Sequence, residues 1–366
     1  MSLVVIGVGL GAPAVARADD IRDREWHLRY LGVAEAQRNA RGEGVTVAVL
    51  DTGVDYRHPD LKGAVLEGRT FSGGREDARD DVGGHGTAMA SLIAGRGHGA
   101  RHRDGVMGVA PGARVLPVRT YGGGLVRSKA LQQAIRWAAD HDADVINVSQ
   151  GYVDDSATRD AVDYAQAKGA VVIAAVGNTT QGDQKVAAPA MYPGVVAVSA
   201  TNEHGNFAEE SISGPEVVLS APGTDIMAAG SGKRGMYATG TGTSNSTAIV
   251  SGVAALIKSR YPDMDAANII NRLIATADDK GPNGRDPQYG FGIVNPVKAL
   301  TADEPFVKSN PLVKPSPSDA ASAATAADDG SSSDFPLLGL AGLAALLFVV
   351  LAGLGFVLVR RGHASQ

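Results

Sequence analysis

Three short apolar runs in this chain end in the same way. Val45 to Leu50 stops at Asp51-Thr52-Gly53, Val145 to Val148 at Ser149-Gln150-Gly151, and Ala170 to Val176 at Gly177-Asn178. Apolar runs of this length without polar alternation suit strands covered on both faces, as in a parallel sheet. Further strands are expected at Arg114 to Val118, Val195 to Ser199 and Val217 to Leu219. Between them lie helical patterns. Ser128 to His141 carries Leu131, Ile135 and Ala138 in phase, and Ser156 to Lys168 is followed by Gly169. Another helix opens at Gly84-His85-Gly86-Thr87, and one more is expected from about Met264 to Thr276. Such alternation implies an α/β fold of right-handed βαβ units, three-layered, with a mostly parallel central sheet and helices on both faces. Chemistry in such sheets sits beyond the carboxyl ends of the strands, where the three polar terminations fall.

The second constraint is the stretch ATGTGTSNSTAIVSGVAAL, residues 238–256. Small and hydroxyl residues up to Ser244 give way to Ile249, Val250, Val253, Ala254 and Leu256 at helical spacing. The pattern delivers a hydroxyl to the first turn of a buried helix, where unpaired N–H groups and the dipole favour negative charge. A serine there suits attack on a carbonyl, although an ordinary helix cap gives the same pattern. Asp51 ends a strand, His85 starts a helix between glycines, and Asn178 follows another strand. Together they can orient an imidazole, remove the serine proton and donate to an oxyanion.

Composition narrows the classes. The net charge is -5, with no charge run of the kind that binds nucleic acid. There is no Cys, so neither disulfides nor thiolate metal sites can form. Residues 3–16 are apolar and precede Ala16-Arg17-Ala18, which reads as a signal peptide over 1–18, truncated because a basic n-region is missing. Pro336 to Val359 is apolar and uncharged and is followed by Arg360-Arg361. It is long enough to span a bilayer, with the arginines on the cytoplasmic side. The expected organisation is a signal peptide (1–18), an N-terminal arm (19–44), a catalytic domain (45–300), a flexible Pro/Ala/Ser-rich stalk (301–335), a transmembrane helix (336–359) and a cytoplasmic tail (360–366).

The segments VAVLDTGVD, GGHGTAMASLIAG, INVSQG, AAVGN and TGTSNSTAIVSGVAAL resemble, in order and spacing, the motifs of the subtilisin-type serine proteases, the subtilases. That resemblance implies a subtilisin-like fold and a serine endopeptidase with the triad Asp51, His85 and Ser244. It also implies Asn178 as oxyanion residue and Ser149, Gln150 and Gly151 as the segment that pairs with an extended peptide. REWHLRYLGVAEAQ, the Pro-rich stalk and the C-terminal apolar segment are similar to those of mycosins, the membrane-anchored subtilases of actinobacterial type VII secretion systems. The implied partners are a protein or peptide substrate, the membrane and components of that secretion machinery. The alternative role is a scaffolding subunit of such a complex with dispensable proteolysis.

Departures from the pattern are specific. Ala248 stands where the family has Pro, a residue suited to a helix's first turn. Mycosins commonly carry disulfides and this chain has none. No inhibitory propeptide domain is expected before Val45. No cofactor or metal is predicted. His98, His102 and Asp104 read as a solvated loop, and calcium at Asp77, Asp80 and Asp81 is left open because no ligand spacing is recognisable.

Overall fold

A computed structural model describes residues 18–73, 77–122, 125–126, 128–231 and 236–313. The expected signal peptide up to residue 17, the stalk beyond 313, the membrane helix at 336–359 and the tail at 360–366 lie outside the described residues. Among the described residues no helix is long and apolar enough to cross a membrane.

The arm forms three short helices, α1 (Ala18–Asp23), α2 (Trp26–Tyr30) and α3 (Val33–Ala36). Strand β1 (Thr46–Asp51) then enters the core, buried from Val47 onward. The stretch expected to be loop between Asp55 and Asp81 contains a two-residue strand, β2 (Arg69–Thr70). After α4 (His85–Ala94) come the hairpin of β3 (Arg96–His98) and β4 (Asp104–Met107), then β5 (Arg114–Arg119) and the small pair β6 (Tyr121–Gly122) and β7 (Leu125–Val126). Helix α5 (Ser128–Asp140), β8 (Val145–Val148), α6 (Ser156–Ala167), β9 (Val171–Ala175), β10 (Val196–Thr201) and β11 (Leu219–Pro222) follow. A ribbon, β12 (Ile226–Ala229) and β13 (Tyr237–Gly240), precedes α7 (Thr243–Arg260), α8 (Ala266–Ala275) and α9 (Pro296–Thr301).

Seven strands make the main sheet in the order β11-β10-β9-β8-β1-β5-β2. Every neighbouring pair is parallel. From β1 the chain first builds outward to β2 and β5 and then crosses back to β8. That reversal leaves a crevice at the carboxyl ends of β1 and β8, where Asp51 and Ser149 sit. The predicted strand at Val217 to Leu219 begins two residues later than expected. Val217 closes a turn on the carbonyl of Gly214, and pairing with β10 starts at Leu219. Helix α8 starts at Ala266, where the Asp265 carboxylate accepts the Asn268 N–H and caps it.

Helix α7 organises the core. Every residue from Asn245 to Ile257 is buried, so the helix is enclosed on all sides. Its hydroxyls are satisfied by carbonyls of its own preceding turn and by neighbouring strands. Ser246 donates to Ala221 O (2.9 Å), Thr247 to Thr243 O (2.8 Å), and Ser251 to Thr247 O (2.8 Å) and Asn147 Oδ1 (3.0 Å). The polar look of Asn245-Ser246-Thr247 is therefore compatible with a buried helix. Ala248 is the sixth residue of α7, not part of its first turn, and it is fully buried.

The arm carries two buried ionisable groups with opposite behaviour. Burial pushes the Glu25 carboxyl up to about 8, against the pull of Arg22 and the Met107 N–H. Burial beside Arg29 pushes His27 down to about 3, and neither ring nitrogen has a hydrogen-bond partner. Glu25 contributes stability fully present below its ordinary value of 4.5 and lost as pH rises towards 8. His27 contributes stability fully present above 6.5 and lost as pH falls towards 3. Between 4.5 and 6.5 the two trends offset. Taken alone, these groups make a Ser244→Ala protein most resistant to urea across that window. Glu25→Gln should remove the decline between pH 6.5 and 8, and an equal decline in the variant would contradict this assignment.

Candidate active site

Asp51 is the last residue of β1 and is fully buried. Its Oδ1 accepts the Thr52 N–H at 2.7 Å. His85 is the first residue of α4, and its Nδ1 lies 2.9 and 2.8 Å from the two Asp51 carboxylate oxygens. A carboxylate only accepts, so Nδ1 carries a proton and donates to it.

This contact depends on a close approach between α4 and the turn after β1. A Cβ on Gly86 would lie 2.0 Å from Gly53 O and 3.1 Å from the Asp51 Cβ. Asp81 fixes the start of α4. Its Oδ1 accepts from Thr52 Oγ1 (2.7 Å), Gly83 N (2.9 Å) and Gly84 N (2.7 Å). Its Oδ2 accepts from Thr87 N (2.8 Å) and Thr87 Oγ1 (2.6 Å). Thr52 Oγ1 in turn accepts the Gly86 N–H at 3.0 Å. One carboxylate thus ties the β1 turn to the helix that carries His85. Sequence reasoning missed this role. The available signal was an acceptor placed before a Gly-Gly helix entry.

Ser244 lies in the first turn of α7 and is half-buried. Its Oγ donates to Ser149 O at 3.0 Å, while Ser149 Oγ donates to Ser244 O at 3.2 Å. Asn178 follows β9. Its Oδ1 accepts from Thr243 N (2.9 Å) and Thr243 Oγ1 (3.3 Å), and its own N–H donates to Asp183 Oδ2 (2.8 Å). With the amide oxygen so engaged, Nδ2 is the free end of the side chain. Nδ2 makes no hydrogen bond among the described residues.

His85, Asn178 and Ser244 line one cavity of about 220 Å3, with Asp51 buried behind His85. Its far wall is the β12–β13 ribbon, including Ile226, Ala228, Ala238 and Gly240. Gly151 borders a separate cavity of about 770 Å3, shared with Tyr152, Val153, Asp154 and the segment from Gly182 to Ala188. Of the predicted peptide-pairing segment, Gly151 is exposed, Ser149 is buried against Ser244, and Gln150 accepts from Tyr152 OH at 2.6 Å.

The candidate metal residues are engaged elsewhere. Asp77 pairs with Arg79, Asp80 with Arg57, and Asp81 caps α4. His98 is not simply part of a solvated loop: its Nδ1 contacts the buried Asp60 Oδ1 at 2.6 Å. Among the described residues no group of three or more His, Cys, Asp or Glu side chains is arranged to hold a metal ion.

The subtilase family model matches residues 42–292. The chain belongs to the subtilase family. This subtilase is 34% identical to mycosin-1 of Mycolicibacterium smegmatis, over 80% of this chain and 76% of the relative. It is 35% identical to mycosin-1 of Mycobacterium tuberculosis, over 80% and 77%. A crystal structure of MycP1 from the ESX-1 type VII secretion system superposes with a TM-score of 0.71 at 32% identity, covering 82% of this chain and 91% of that one. A crystal structure of fervidolysin from Fervidobacterium pennivorans gives 0.70 at 31% identity, over 78% of this chain and 48% of that one. With subtilisins and alkaline proteases also among its relatives, this subtilase is a serine-type endopeptidase related to mycosins.

Asp81→Ala strands several donors around the His85 helix start. We expect a loss of about 1–3 kcal/mol in urea unfolding. Turnover should fall about tenfold or more, because His85 is no longer held in place. Unchanged turnover in the folded variant would refute the positioning role.

Proposed function

We propose that Ser244 is the nucleophile, His85 the general base and acid, and Asp51 the group that orients His85. The observation that carries this reading is the pair of short contacts between His85 Nδ1 and the buried Asp51 carboxylate, with Ser244 in the same cavity as His85. With Nδ1 donating, Nε2 is left as the basic nitrogen. For His85 to take the proton, the Ser244 hydroxyl gives up its bond to Ser149 O and turns. The serine oxygen then attacks the peptide carbonyl. The oxyanion is held by Asn178 Nδ2 and the Ser244 N–H, the latter unpaired within the helix because it lies in the first turn. The protonated His85 gives its proton to the leaving amine, and water hydrolyses the acyl-enzyme by the same steps in reverse roles.

The peptide's acyl side is proposed to run along Ser149, Gln150 and Gly151 as an added strand. We further propose a single-pass membrane protein with its catalytic domain outside the cytoplasm, serving a type VII secretion system. The apolar segment 336–359, the arginines after it and the similarity to mycosins support that placement.

Ser244→Ala is expected to abolish labelling by a fluorophosphonate probe, and labelling that survives removes Ser244 as nucleophile. Asn178→Ala should lower turnover by about 10²–10³, the loss that removing one oxyanion donor brings in a subtilase. Equal turnover would exclude Asn178 from the oxyanion site.

A further inference from the structure

The N-terminal arm does more than cover the domain. The cavity that holds His85 and Ser244 excludes Ser149, Gln150 and Gly151, which serve the acyl side in the function proposed above. Because His85 protonates the leaving amine, this cavity is the leaving-group side of the cleft, and the β12–β13 ribbon is its wall. The inference rests on that reading of the triad.

A two-stranded ribbon is marginal by itself and needs support on a face. Both strands of the ribbon are tied to the body: Ala229 N–H of β12 donates to Ser91 Oγ (2.9 Å), and Asn245 Nδ2 donates to Gly240 O of β13 (3.0 Å). His58 reaches its far end, with Nε2 at 2.8 Å from Met236 O. The arm supports one face of the ribbon. Met227, Ala229 and Tyr237 from the ribbon form a small apolar cluster with Val106 and with Ile21 of α1, separate from the main core. Thr239 belongs to the same alternate set as Tyr237, and its Oγ1 accepts from Arg24 Nη2 at 2.8 Å. At the turn before the ribbon, the Asp225 carbonyl accepts from Trp26 Nε1 at 3.3 Å. Asp225 has a left-handed backbone, with φ of 52°, and its N–H is held by Thr241 Oγ1 at 3.0 Å. Thr239 and Thr241 also line the His85–Ser244 cavity, so the arm's contacts lie one residue's thickness from the substrate space.

The arm has its own anchors. Glu25 accepts the Met107 N–H at 2.9 Å and pairs with Arg22 Nε at 3.0 Å, and Arg22 Nε also lies 3.1 Å from Gly105 O. We propose that Arg24 and Trp26 are positioning residues for the leaving-group side of the cleft. They hold the ribbon in the shape that receives peptide residues after the scissile bond. Without them the wall must be ordered each time a substrate binds, which weakens binding of extended substrates.

The test uses two substrates sharing one acyl-side sequence chosen by cleavage profiling. One is a p-nitroanilide, whose leaving arylamine carries no peptide residue, and the other an internally quenched peptide with four residues beyond the scissile bond. In the full chain, the double variant Arg24→Ala/Trp26→Ala should lower kcat/KM for the peptide by about tenfold, mainly through KM. The p-nitroanilide should be hydrolysed as by the parent. Arg24→Lys, which keeps a donor for Thr239, should retain most of the parent's peptide activity. Equal losses on both substrates, or no loss on either, overturn the proposal while leaving the triad in place. A parent chain that hydrolyses neither substrate and takes no fluorophosphonate at Ser244 overturns the triad reading and this inference with it.

Discussion

The contact between Asp51 and His85 is the constraint on which the rest of the site depends. Asp51 is fully buried at the end of a central strand, and an unpaired carboxylate there would be costly. Thr52 N–H and His85 Nδ1 satisfy it. Bringing His85 that close demands a helix start packed against the turn after β1, which only a glycine at 86 permits. It also demands a fixed helix entry, which Asp81 supplies through five hydrogen bonds to its surroundings. The site is therefore as rigid as the junction between β1 and α4.

Helix α7 supplies the other half of the geometry. Its enclosure on all sides places Ser244 relative to β8 and β9 rather than relative to solvent. Reciprocal bonds between Ser149 and Ser244 join α7 to the end of β8, and Asn178 joins it to the end of β9. Three parallel strands and two helix starts thus converge on one crevice, as the sheet's reversal between β1 and β8 requires.

Much of this was legible in the sequence, for identifiable reasons. β1, β8 and β9 are short buried runs that stop at polar residues, so their ends, and with them Asp51, Ser149 and Asn178, could be placed. β2 could not, because Arg69 and Thr70 join the sheet edge by backbone pairing without an apolar run. The ribbon is not legible because Ile226 to Ala229 and Tyr237 to Gly240 are short, and one of its faces gains meaning from Ile21 and Val106, each more than 100 residues away in sequence. In the sequence Asp81 is one of three acidic residues in an expected loop. Its role appears only when Gly83, Gly84 and Thr87 are folded around it. Ala248 was expected at a helix entry and instead lies deeper, where a residue with an N–H fits the helix without special provision.

The most direct test of the account is replacement of Asp51 by Asn, followed by steady-state kinetics and fluorophosphonate labelling. An amide in place of the carboxylate keeps the shape but stabilises the wrong imidazole tautomer. Asp51→Asn should give a folded protein whose turnover falls by about 10⁴ near neutral pH, the size of the loss seen when the same change is made in another Ser-His-Asp protease. A folded Asp51→Asn protein with turnover within about tenfold of the parent would contradict it, because Asp51 would then not be what makes His85 a base.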